Sequence, residues 1–144
     1  MKHISRLICM LLAVVMIFAV PATAAENAEP RASNYFGSSS VYLYQTTSTK
    51  FEAWFEVTAL GIMDKLGASE IKIQRSSDNS NWTTVKTCSM SSYTNLICED
   101  TGSHASYVTY TGTTGYYYRA KITIYAKDGT GSAEWVRYTS SILL

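Results

Sequence analysis

Apolar and polar residues alternate with a period of two over much of this chain, which predicts strands with one face on a core and one in water. The clearest run follows Gly115: Tyr118, Ala120, Ile122, Ile124 and Ala126 share the apolar parity, and Tyr117, Arg119, Lys121, Thr123 and Tyr125 share the other. The stretch 50–60 repeats the pattern, with Phe51, Ala53, Phe55, Val57 and Ala59 inward and Glu52, Trp54, Glu56 and Thr58 outward. Shorter strands are predicted over 39–46 (Val41 and Leu43 against Tyr42 and Tyr44), 70–75 (Ile71 and Ile73 inward), 82–88 and 105–111. A last strand is predicted over 132–141, with Val136 and Tyr138 inward and Trp135, Arg137 and Thr139 outward. In the 82–88 strand, Val85 and Trp82 argue for opposite faces.

Between these runs stand turn signals. Ser76-Ser77-Asp78-Asn79-Ser80-Asn81 is rich in side chains that fold back onto backbone N–H groups. The stretch 61–68, between two closely spaced glycines, is expected to be a loop whose Ile62, Met63 and Leu66 plug the end of the core. The polar stretch 89–104 is expected to be the longest irregular segment. No helix longer than a turn or two is expected after the first 24 residues. Seven short strands at near-regular spacing predict an all-β fold, a single antiparallel β-sandwich.

The first residues fall outside this pattern. A basic start (Lys2, His3, Arg6), an apolar run over 7–20 and a small-residue exit at Ala22-Thr23-Ala24 form the order of a secretory signal peptide, with cleavage expected after Ala24 or Ala25. The apolar run is shorter than the roughly 20 residues a spanning helix needs. Cys9 sits near the start of that run, not after it, so no lipid anchor is expected. The organisation predicted is therefore a signal peptide over 1–24, a flexible lead-in over 25–38 and one sandwich domain over 39–144. Losing Lys2 and Arg6 leaves ten cations against eleven acids, so bulk charge points to neither a nucleic-acid nor a membrane partner. Two cysteines remain, Cys88 and Cys98, and an even pair in a secreted chain predicts one disulfide stapling a loop.

A tyrosine entering the penultimate strand, Tyr116 or Tyr118, resembles the tyrosine corner of immunoglobulin-like and fibronectin type III domains. The Cys…Trp…Cys signature of true immunoglobulin domains is missing. The signal peptide ending in Ala24-Ala25-Glu26, the Pro30-Arg31-Ala32-Ser33 lead, the segment Met63-Asp64-Lys65-Leu66-Gly67-Ala68 and the run Gly115-Tyr116-Tyr117-Tyr118 also resemble a family of small secreted proteins of Gram-positive gut bacteria that carries no assigned activity. That resemblance implies no functional residues.

Candidate chemistry is sparse. Asp100-Thr101-Gly102-Ser103 matches the string of aspartic proteases, but those enzymes need two such carboxylates and this chain has one copy. His104 is the one histidine after the signal peptide, and no Gly-x-Ser-x-Gly elbow accompanies it. One histidine makes no multi-histidine zinc site, and Asp78, Ser80 and Asn81 lack the calcium-loop pattern. Asn81-Trp82-Thr83 is a glycosylation sequon, expected bare in a bacterial chain. No enzyme activity, cofactor or metal is expected. The constellation that stands out is a basic aromatic face. Tyr117, Arg119, Lys121 and Tyr125 lie outward together, joined by Trp135 and Arg137 if the last strand pairs alongside, and by Lys72 if the 70–75 strand flanks the other side. Such a face suits an extracellular glycan, an anionic polymer or a protein partner.

Overall fold

The computed structural model describes residues 34–144, so the expected signal peptide and most of the lead-in lie outside the described residues. Seven strands form one antiparallel sheet: β1 (Phe36–Gln45), β2 (Lys50–Ser76), β3 (Thr83–Ser89), β4 (Ile97–Thr111), β5 (Tyr117–Asp128), β6 (Gly131–Tyr138) and β7 (Ile142–Leu143). A 3-10 turn, Thr94–Leu96, precedes β4. Among the described residues no helix is long and apolar enough to cross a membrane.

β2 is the spine of this sheet, and its 27 residues serve two arms. Residues 50–58 lie between β1 and β4. Residues 65–76 lie beside β5 on one side, with the start of β4 and then β3 on the other. β6 and β7 extend the second arm beyond β5. Register shifts between Thr58 and Met63 and between Ala68 and Glu70 mark where β2 bends. Each extra residue unpairs the ladder locally and reverses the inward parity. The buried set accordingly runs Phe51, Ala53, Phe55, Val57, then Leu66 and Ala68, then Ile71 and Ile73.

Bending folds the two arms towards each other, and the core fills the space between them. Phe51 of the first arm meets Tyr118 of the second at 5.4 Å between ring centroids, with Tyr110 against both. At the other end Phe36 packs on Trp135 at 5.9 Å. Each large side chain withdrawn from water here, such as Phe55, Leu66 or Ile122, contributes about 1.5–3 kcal/mol. The expected inward parities of the 50–60, 70–75 and β5 runs hold, Val41 and Leu43 of β1 pack on the core, and Val85 does so while Trp82 does not.

Several expectations are corrected. The 61–68 stretch is strand, and Ile62, expected in the core, is 71% exposed, because four residues of β2 bulge out opposite Gly102 alone. Met63 and Leu66 are buried as expected. The second half of the 89–104 stretch belongs to β4. Cys88 and Cys98 are free thiols, and no disulfide joins them. The reason lies in the register: Cys88 is opposite Ile71 and Cys98 opposite Leu66 on the same side of β2. Five residues of strand separate those positions by about 15 Å, whereas bridged cysteines have Cα atoms within about 7 Å.

Candidate functional site

The outer face of β5 is set by its alternation. Tyr118, Ala120, Ile122, Ile124 and Ala126 are buried, so Tyr117, Arg119, Lys121, Thr123 and Tyr125 stand on the opposite face, each half-exposed. Its neighbours follow from register, since residues directly opposite across a ladder share a face. On the β2 side Gln74 faces Arg119, Lys72 faces Lys121 and Glu70 faces Thr123. On the β6 side Tyr138 faces Lys121, Val136 faces Thr123 and Glu134 faces Tyr125.

The same ladder pairs Arg137 with Ile122 and Trp135 with Ile124, both core residues. Trp135 and Arg137 therefore lie on the inner face, which corrects their expected place beside Arg119. Trp135 packs on Phe36, the Arg137 guanidinium lies 4.4 Å from the Trp135 ring centroid, and its Nη2 donates to the Ser39 carbonyl at 3.3 Å. Thr139, also expected outward, is buried and accepts a hydrogen bond from the Ala120 N–H at 3.0 Å. Val136 and Tyr138 take the outward places. Of the six expected residues, the fold brings Tyr117, Arg119, Lys121 and Tyr125 onto one face and sets the other two behind it.

Two aromatic residues missing from the expected set complete the face. The Arg119 guanidinium carbon lies 4.4 Å from the centroid of Trp82 and 4.9 Å from that of Tyr138. Arg119 Nε donates to Gln74 Oε1 at 2.8 Å. Lys121 Nζ lies 6.0 Å from the Tyr138 ring centroid. Lys72 pairs with Glu70 at 2.8 Å, and Glu134 accepts from Ser69 Oγ at 2.9 Å. Among the described residues no carboxylate lies within ion-pairing reach of Arg119 or Lys121. The face thus carries two cations without acidic partners, one of them clamped by rings.

The other sequence candidates resolve into structural roles. Asp78 accepts from the N–H groups of Ser80 and Asn81, from Asn81 Nδ2 and from Ser76 Oγ at 2.7–2.9 Å. These bonds, led by the one from the Asn81 backbone, hold its carboxyl far below the usual range. A carboxylate this well satisfied is an Asx-turn anchor. Asp100 is exposed on β4 with φ +50°. His104 Nε2 donates to the Asn95 carbonyl at 2.9 Å, and its ring meets Phe55 edge-on, which locks it into the packing. Among the described residues no group of three or more His, Cys, Asp or Glu is placed to hold a metal ion. No protein-family model, curated protein or solved structure matches this chain.

Proposed function

We propose that this chain is a non-enzymatic interaction module working outside the cell, and that the outer β5 face binds an anionic polymer. The observation that carries the reading is the clamped Arg119. A guanidinium has five N–H donors in a planar fork. One is used on Gln74, and the other four make no hydrogen bond among the described residues. Flanking rings hold the plane in place, so little side-chain entropy remains to be lost when a carboxylate, sulfate or phosphate group takes the open edge. Lys121 stands next along the strand with no carboxylate in ion-pairing reach among the described residues, which suits a ligand carrying repeated charges. A protein of formal charge −1 after signal removal gains such affinity from local arrangement, not from net charge.

Export rests on the basic, apolar and small-residue order of 1–24. Kinship to immunoglobulin-like sandwiches is part of the same proposal. Its support is Tyr118, whose buried hydroxyl accepts from the Thr113 N–H at 2.8 Å, the upstream backbone bond of a tyrosine corner.

Retention on heparin-agarose tests the binding reading with matched single charge reversals. Arg119→Glu should elute near the void, whereas Lys50→Glu, on the outer face of the other arm, should elute with the parent protein. Equal shifts for the two variants would reduce the effect to bulk charge and refute the site.

A further inference from the structure

The outer face of the first arm carries a second arrangement with the opposite charge. Tyr42 of β1, Trp54 of β2 and Tyr107 of β4 stand directly opposite one another across three strands. Trp54 and Tyr107 stack with centroids 4.4 Å apart. Tyr42 and Trp54 are parallel to within 3° but 6.2 Å apart. At van der Waals separation that distance means a sideways displacement of about 5 Å, so the two rings overlap only at their margins and leave ring face open. Tyr42 and Tyr107 are each 40% exposed.

Carboxylates flank this row on the same strand. Glu52 lies two residues before Trp54 and Glu56 two residues after, which places both on the outer face. Glu52 Oε2 accepts from Trp54 Nε1 at 2.8 Å and Glu56 Oε1 from the Tyr42 hydroxyl at 3.4 Å. The second oxygen of each accepts no hydrogen bond among the described residues. Beside Glu56 the face sinks into a depression of about 310 Å³, lined by Glu56, Val57, Thr58, Ser103, His104 and Ala105. Glu56 and Thr58 stand on the outer parity of β2, directly opposite Ala105 and Ser103, which sets the depression on the outer side, beside the aromatic row.

We infer that this surface is a binding site for a pyranose sugar chain bearing no acidic groups. Sugar rings present C–H faces that pack on open aromatic surface and hydroxyls that donate to carboxylates. Both kinds of partner stand here at cross-strand spacing. The volume of the depression, about 310 Å³, has room for one ring, and Thr58 and Ser103 offer hydroxyls at its wall. Glu52 and Glu56 repel an anionic polymer, which separates this site in charge and in place from the outer β5 face. The inference does not rest on that face.

Affinity electrophoresis through gels containing one polysaccharide tests it, with linear β-glucan, mannan, chitosan and polygalacturonate as the probes. The parent protein should be retarded by at least one of the first three. Tyr107→Ser, at an exposed position, should weaken retardation about two- to tenfold, and the double variant Glu52→Gln/Glu56→Gln should weaken it further. Arg119→Glu should leave it unchanged. The amine-bearing chitosan separates a preference for positive charge from recognition of the neutral ring. Retardation by polygalacturonate alone, or by none of the four, overturns the site. So does retardation that survives in both the Tyr107→Ser and the Glu52→Gln/Glu56→Gln proteins.

Discussion

Gly67 lies where β2 pairs with both β4 and β5, and a side chain there should break the fold's main junction. Its φ is +153°, and a Cβ would land on the Leu96 backbone carbonyl, with His104 Cδ2 at 3.1 Å. Relief needs the turn before β4 to move outward, which would pull the fully buried Leu96 from the core. Overpacking of this kind costs about 1–3 kcal/mol, and the unusual dihedral adds about 1–3 kcal/mol. Two other glycines separate these causes. Gly115 has φ +83° and nothing within 4 Å of its Cβ position, so Gly115→Ala should show dihedral strain alone, about 1 kcal/mol. Gly129 has open space and no unusual φ, so Gly129→Ala should change stability by no more than about 0.5 kcal/mol. Urea denaturation followed by tryptophan fluorescence reads all three, with midpoint shifts at unchanged m-value as the criterion. Gly67→Ala should be the most destabilised by several kcal/mol or fail to fold. If it matched Gly115→Ala, the turn before β4 would not sit against β2 as described.

Replacing Tyr118 by Phe should cost about 1 kcal/mol in the same assay through loss of the Thr113 bond, and Tyr116→Phe should cost nothing measurable. Asp78 and Asp128 both have carboxyl pKa values lowered by hydrogen bonds, from Asn81 first and from Thr130 first respectively. Their charged forms therefore stabilise the fold above the ordinary carboxylate range, and that contribution is lost as pH falls through the depressed values. The stability gap between the parent protein and Asp78→Asn should narrow steadily below about pH 4, and a gap constant down to pH 2 would contradict it. In a chain lacking residues 1–24, a thiol reagent should find two thiols after unfolding, with Cys98 reacting faster than the buried Cys88 in the native state. Absence of thiols would restore the disulfide.

The parts of this fold legible in the sequence are those where one parity is wholly apolar. Phe51 to Val57 and Tyr118 to Ala126 each leave one choice of inward face, and the structure takes it. β6 is different. Trp135 on one parity and Val136 and Tyr138 on the other are all apolar or aromatic, so the strand itself does not choose a face. A slip of one residue in register exchanges the two sets, and pairing with β5 decides for Trp135 and Arg137 inward. Between Val57 and Ile71 β2 was illegible because its bulges reverse the inward parity twice, and Gly61 and Gly67 then read as loop punctuation. In the 82–88 run Trp82 and Val85 argued for opposite faces, and only the pairing of β2 with β3 and β5 brings Trp82, just before β3, to Arg119. The row of Tyr42 and Trp54 was visible strand by strand as outward residues. Its continuation to Tyr107 depends on the β2–β4 register, which no local pattern announces.

The three tryptophans report on three separate surfaces: Trp82 beside Arg119, Trp54 in the acidic aromatic row, and Trp135 on the inner face. Their indole N–H signals in a ¹H–¹⁵N correlation spectrum, followed during titration with heparin, test the binding face directly. The Trp82 signal should shift saturably and return on adding salt, while the Trp54 and Trp135 signals stay in place. A shift at Trp135 or Trp54 with Trp82 unmoved, or no shift at any of the three, would contradict the placement of the anion site on the outer face of β5.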